Sequence, residues 1–79
     1  MEKTFEKHQK LAQRMRIIRT LRGLSQENIA HELGISQSAY SQIERRAGEC
    51  KLSTLERIAE VLCVSVSFLI DVENPRYDL

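Results

Sequence analysis

The sequence has little that would point to a membrane, a disulfide framework or a metal site. Its 79 residues contain no run approaching the roughly 18 apolar side chains that a membrane-spanning helix needs. The opening stretch, MEKTFEKHQK, lacks an apolar segment of signal-peptide type, so we expect a cytoplasmic protein. Cys50 and Cys63 lack the paired spacing of a zinc site, and both are expected to be free thiols.

Groups for catalysis are missing as well. His8 and His31 are isolated from other potential ligands, and the sequence shows no nucleophile–base pair, metal cluster or phosphate-binding loop. We therefore expect neither an enzyme nor a protein that holds a metal or cofactor. The length allows a single domain with a small core.

The net charge of +1 conceals an uneven distribution along the chain. Residues 1–24 contain seven basic and two acidic side chains, whereas residues 53–79 contain two basic and five acidic ones. A protein with one positive end suits a polyanionic partner such as a nucleic acid. A solvated helix surface would explain the same pattern, so charge alone does not decide between the two interpretations.

The rest of the chain is organised around the stretch QENIAHELGISQSAYSQIER, residues 26–45. Its apolar residues fit two short helices that cross at a turn centred on Gly34, with Ser25 and Ser36 as the N-caps. Tyr40 shares the buried face of the second helix with Ile43, and its hydroxyl is expected in water. The outward face is polar, which is typical of a helix-turn-helix that contacts DNA: Gln37, Ser38, Ser41, Gln42 and Arg45.

Two more helices are predicted before and after this pair. The first runs from about Gln9 to Arg22, ends at a left-handed Gly23 and follows a flexible segment, residues 1–8. After a loop of residues 46–52, the run Ser53-Thr54-Leu55-Glu56 matches the capping-box pattern and predicts the start of a fourth helix.

A short fifth helix, Val66–Ile70, is predicted after an N-cap at Ser65, and residues 73–79 are predicted to form a C-terminal tail. The sequence thus predicts an all-α domain of five helices over residues 9–72. Because the fifth helix is apolar on two sides, we expect one side to meet a second copy of the chain. The candidate interface residues are Val66, Phe68, Ile70 and Val72.

Small, glycine and apolar residues recur at fixed offsets through these helices: Gly23-Leu24-Ser25-Gln26, Ile29-Ala30, Leu33-Gly34-Ile35-Ser36, Ile43-Glu44-Arg45 and Leu55 to Ser65. Over about residues 11–70 the chain resembles the lambda-repressor-like, Xre/Cro type of helix-turn-helix regulator. The resemblance implies a compact five-helix domain that binds operator DNA as a symmetric dimer and regulates transcription, most simply as a repressor.

The resemblance also implies roles for individual residues. It places base contacts at Gln37, Ser38, Ser41 and Gln42. It places phosphate contacts at Gln26, Ser36, Arg45, Arg46 and Lys51. Arg19 and Glu44 would form an ion pair that positions the third helix and, if exposed, adds only about 0–1 kcal/mol.

Two residues depart from the family pattern, because Arg46 and Cys63 stand where the family usually has glycine. Either both positions are left-handed, at a cost of about 1 kcal/mol, or the loops take another path. Two other functions suit the same fold, namely a protein-interaction module and an antitoxin-type regulator that binds both DNA and a toxin. The outward Gln, Ser and Arg side chains favour DNA over the first of these.

Overall fold

Serine side chains begin three of the helices, as the sequence predicts. The hydroxyls of Ser25, Ser36 and Ser65 each accept a hydrogen bond of 3.0 Å from the backbone N–H three residues further on. At Ser25 the backbone N–H of the cap residue donates a second hydrogen bond to Asn28 Oδ1, which completes a capping box. The starts of these helices are therefore fixed by local hydrogen bonds.

In the computed structural model, the backbone is described for residues 2–77 and the side chains for residues 6–77. The helices are α1 (Glu2–Leu21), α2 (Gln26–Leu33), α3 (Gln37–Arg45), α4 (Leu52–Leu62) and α5 (Val66–Ile70), with a short 3-10 helix (Ala47–Glu49) between α3 and α4. This described part contains no strand, and the predicted five-helix, all-α fold is confirmed. None of its helices has the length and apolar character needed to cross a membrane.

The predicted start of α1 near Gln9 is wrong, because the helix begins at Glu2. Its early turns pack against the 3-10 helix, where the His8 ring lies so close to Gly48 that a Cβ at position 48 would collide with it. This long-range contact lies before the helix start that the local pattern predicts. Residue 1 of the predicted flexible segment and residues 78 and 79 of the predicted tail lie outside the described residues.

The predicted start of α4 at the Ser53 capping box is also wrong. The helix begins at Leu52, with Lys51 as an N-cap that makes no side-chain bond. The 3-10 helix closes with a bond from the Cys50 N–H to the Ala47 carbonyl, and Lys51 follows in an extended conformation. The carbonyl of Lys51 then accepts the first N–H groups of α4, so Ser53 falls inside the first turn.

The two departures from the family pattern differ in backbone conformation. Cys63 is left-handed, with φ 59°, and it ends α4 where a glycine would be unstrained. Arg46 has φ −110°, so it is not left-handed, and the chain passes from it into the 3-10 helix. The predicted left-handed residue is thus found at Cys63, while the alternative loop path is found at Arg46.

The core joins all five α-helices. Its fully buried apolar side chains are Met15, Ile18, Ile29, Tyr40, Ile58, Leu62 and Leu69, and the buried Ala47 adds the 3-10 helix to it. The fixed geometry of these contacts holds α2 and α3 against α1 and α4. The exposed side of α3 is therefore presented by a packed scaffold.

An arginine is buried in this scaffold, which the sequence does not predict. Arg14 is 2 % exposed, and its Nε and Nη1 donate hydrogen bonds of 2.9 Å to the carbonyls of Phe68 and Asn74. Its guanidinium carbon lies 4.6 Å from the ring centre of Phe68 and 4.8 Å from that of Tyr77, in cation–π geometry. The segment after α5 is thereby attached to α1 as far as Tyr77.

Candidate nucleic-acid interface

The exposed face of α3 is polar along its whole length. Gln37, Ser38, Gln42 and Arg45 are exposed and Ser41 is half-buried, so all five predicted outward residues reach the surface. Residues 38, 41, 42 and 45 follow the three- and four-residue spacing of a single helix face. The opposite face buries Tyr40 and Glu44. The helix therefore offers donors and acceptors to a partner while its other side fixes its orientation.

A single buried carboxylate connects the first three helices. Glu44 is 1 % exposed and accepts hydrogen bonds from Arg19 Nε at 2.8 Å and Arg19 Nη2 at 3.2 Å. It also accepts from the Tyr40 hydroxyl at 2.7 Å and from Gln26 Nε2 at 3.2 Å. We call these four residues the Glu44 cluster. Since Arg19 belongs to α1, Gln26 to α2 and Glu44 to α3, the cluster fixes the three helices relative to one another.

The electrostatics of the Glu44 cluster favour its charged form. Burial alone would raise the pKa of Glu44, but the hydrogen bonds from Arg19, Tyr40 and Gln26 outweigh it and hold the pKa below its ordinary value. The hydrogen bond to Glu44 raises the pKa of Arg19. Burial, followed by the hydrogen bond to the carboxylate, raises the pKa of Tyr40. At neutral pH the cluster thus holds a carboxylate, a guanidinium and a neutral phenol.

Two expectations concern the Glu44 cluster, and the second of them is wrong. The Arg19–Glu44 ion pair is present, but it is buried on the Glu44 side and bidentate, so the small value expected of an exposed pair does not apply to it. The Tyr40 hydroxyl is not in water, because it donates to Glu44 one helical turn away. The spacing of Tyr40 and Glu44, four residues apart on one face, is the signal in the sequence that points to this contact.

The predicted phosphate-contact residues occupy different environments. Gln26 is half-buried at the start of α2 and donates to Glu44, while the Ser36 hydroxyl caps α3. Arg45, Arg46 and Lys51 are exposed. Arg46 and Lys51 flank the 3-10 helix instead of lying in an open loop. Arg45 stands apart from them, on the outward face of α3.

A concavity of about 380 Å³ continues this outward face onto α1, and the sequence does not predict it. It is lined by Gln9, Ala12, Gln13, Arg16 and Arg45. The regular spacing of residues 9, 13 and 16 is the only signal in the sequence that places these α1 side chains together. We refer to this feature as the α1–α3 concavity.

Comparison with known proteins decides the family. A family model described as helix-turn-helix matches residues 15–74, which is most of the chain. The chain belongs to the helix-turn-helix family. The expected relationship to its lambda-repressor-like, Xre type is confirmed, and this is a family of transcription regulators and not of enzymes. No solved structure gives a significant match.

Curated relatives of this helix-turn-helix protein have matching descriptions. It is 34 % identical over 67 residues to an uncharacterized helix-turn-helix-type transcriptional regulator derived from the SPbeta prophage of Bacillus subtilis, covering 85 % of this chain and 62 % of the relative. It is 35 % identical over 60 residues to a hypothetical transcription factor of Neisseria meningitidis, covering 76 % and 57 %. The chain thus spans less than two thirds of the length of these relatives.

In this helix-turn-helix protein the two apolar sides of α5 are not equivalent. The Phe68 side is partly covered by Arg14 of the same chain, while Leu69 is buried in the core. Val66 and Val72 are half-buried, and Ile70 is 43 % exposed. Of the four predicted interface residues, Ile70 is therefore the most accessible and Phe68 is already engaged within the chain.

Proposed function

We propose that this helix-turn-helix protein represses transcription by binding a roughly palindromic operator as a homodimer, with α3 of each copy in the major groove. The observation that carries the proposal is the division of α3 into an exposed polar face and a buried face held by the Glu44 cluster. A recognition helix must present its side chains in a fixed orientation, and here the buried face of α3 fixes the orientation of the exposed one. The expected site of action is the cytoplasm.

In this arrangement Gln37 is the principal base reader, because it is exposed in the first turn of α3. A glutamine amide can donate to and accept from the edge of an adenine at the same time. Gln42 reads a second base, while Ser38 and Ser41 are shorter and suit water-mediated or thymine-methyl contacts. Phosphate contacts are assigned to Gln26, Ser36, Arg45, Arg46 and Lys51, which position the protein without reading sequence.

The second copy docks on α5 in this proposal. The exposure of Ile70, with Val66 one turn before it, favours this side over the one that Arg14 covers. Val72 borders the contact, and Phe68 supports it from within the chain. The two α3 helices would then lie about 34 Å apart, one turn of the duplex. An Ile70→Asp variant should be monomeric in sedimentation, whereas the wild type should be a dimer.

Selection of binding sites from random duplexes at a fixed salt concentration tests this function. The selected sites should contain two inverted half-sites, and a collection without dyad symmetry would refute the homodimer. Gln37→Ala should weaken binding by about 1–3 kcal/mol at one base pair per half-site and relax preference there. Glu56→Ala, on the exposed surface of α4, is the control. If Gln37→Ala left every operator variant bound as before, Gln37 would not be a base reader.

A further inference from the structure

We infer that the α1–α3 concavity binds a phosphate group of the DNA backbone, with the guanidinium groups of Arg16 and Arg45 as its ligands. This inference rests on the proposed docking of α3 in the major groove, and it adds a contact from α1 that the family resemblance does not supply. The phosphate would belong to the strand that borders the groove on the α1 side of α3.

The shape of the concavity follows from its lining residues. Gln9, Gln13 and Arg16 lie at helical spacing along one face of α1, and the small, buried Ala12 leaves room between them. Arg45, the last residue of α3, lines the same space. Two cationic side chains and two amides therefore face an open volume of about 380 Å³, and among residues 6–77 no acidic residue lines it.

Arg16 is available for a ligand because its nearest acid is already satisfied. Its Nε lies 3.7 Å from Glu44 Oε1, beyond a good hydrogen bond, and its side chain is 58 % exposed. The Glu44 carboxylate is bound by Arg19, Tyr40 and Gln26 instead. Within residues 6–77, whose side chains are described, neither Arg16 nor Arg45 donates a hydrogen bond to a protein acceptor. Each guanidinium thus retains its donors for a partner.

Four other basic side chains of α1 and the turn after it contact protein groups away from the concavity. Arg14 is buried against α5, and Arg19 is held in the Glu44 cluster. Arg22 donates to the Cys63 carbonyl at 3.0 Å, and Lys10 lies 3.6 Å from Glu73. The number of basic residues in α1 predicts that many of them attract DNA. At the surface beside α3, however, Arg16 is the α1 cation that lines the concavity.

The chemistry of the concavity fits a phosphate better than a base or a carboxylate-bearing peptide. A guanidinium can bind a phosphate through two parallel N–H groups, and half or more of protein–DNA hydrogen bonds go to the backbone. Ser38, Gln42 and Arg45 lie along one face of α3, so a duplex on this face would bring a backbone strand to the concavity. A contact of this kind adds affinity without sequence preference.

The experiment compares Arg16→Gln with Lys7→Gln, which removes one exposed charge elsewhere on α1. Binding is measured from low to high salt on the selected operator and on a scrambled duplex of the same length. Arg16→Gln should weaken both complexes by a similar factor, about tenfold. It should also reduce the salt slope, which is the slope of the logarithm of the binding constant against the logarithm of the salt concentration, by about one. Arg45→Gln should do the same, and Arg16→Lys should keep most of the slope. Lys7→Gln should change the slope less than either.

Two results would overturn the inference. One is a salt slope for Arg16→Gln equal to that of Lys7→Gln. The other is an altered base preference, because Arg16 would then act through Glu44 on the orientation of α3. Circular dichroism and thermal melts establish that the variants are folded. If the wild type fails to select any operator, the proposed function fails; if it selects one and the slope is unchanged, only the phosphate site fails.

Discussion

The substitution Glu44→Gln removes the charge at the centre of the Glu44 cluster and keeps the size of the side chain. Arg19, whose side chain is 12 % exposed, would then lose its carboxylate partner. Removing one member of a buried pair typically costs about 3–5 kcal/mol. Because Arg19 also donates to the Leu24 carbonyl and the amide keeps one acceptor, we expect a loss of about 2–4 kcal/mol. The total free energy of unfolding of a 79-residue domain is about 4–12 kcal/mol, so this loss is a large part of it.

Urea unfolding followed by circular dichroism measures this difference, with Glu56→Gln on the exposed surface of α4 as the control. The control should change the free energy of unfolding by no more than about 0.5 kcal/mol. Thermal melts should show Glu44→Gln lowered in Tm by roughly 10–25 °C. DNA binding should also lose sequence preference, because the recognition helix is no longer held from its buried side.

The pH dependence gives an independent check on the same reasoning. The pKa of Glu44 is lowered in the folded chain, so its stabilisation is complete above the ordinary value of about 4.3 and disappears as the pH falls through the lowered pKa. The difference in free energy of unfolding between wild type and Glu44→Gln should be constant from about pH 6 to pH 8 and should shrink below about pH 4. A difference under 1 kcal/mol at neutral pH, or one unchanged at acidic pH, would refute the role assigned to the carboxylate.

Two further changes test other parts of the scaffold. Cys63→Gly should raise the free energy of unfolding by about 0.5–1 kcal/mol in urea titrations, because glycine adopts the left-handed conformation without strain. Arg46→Gly should give no gain, because Arg46 is not left-handed. Equal gains would contradict the difference in φ at the two sites. Arg14→Met should cost about 1–2 kcal/mol through its lost bonds to α5 and the following segment, and should speed tryptic cleavage after Arg76; cleavage at the wild-type rate would show that Arg14 does not hold that segment.

Local signals predict much of this structure. Ser25, Ser36 and Ser65 cap helices where they are predicted to, since a serine hydroxyl needs only a backbone N–H three residues away. Gly34 ends α2 in a left-handed conformation for an equally local reason. The Ser53 capping-box pattern is a signal of the same kind. The 3-10 helix before it places Lys51 at the N-cap, however, so α4 begins earlier, at Leu52.

Contacts between distant residues account for what the sequence does not predict. Arg14 lies among charged residues in a helix that would usually expose it, and its partners are 54 and 60 residues away. The burial of Glu44 depends on Arg19 of α1 and Gln26 of α2, so the spacing of Tyr40 and Glu44 within α3 reveals only part of it. The α1–α3 concavity likewise exists only once two helices are packed together.

The Glu44 cluster and the outward face of α3 are built from different residues. The residues that hold α3 in place face inward, while those assigned to base contacts face solvent and take no part in the core. Exposed positions such as 37 and 42 can therefore be exchanged at little cost in folding free energy. If these residues read bases as proposed, a lineage built on this scaffold can acquire new target sequences by single surface substitutions while its interior stays unchanged. The proposed specificity is thus evolvable without a change of fold.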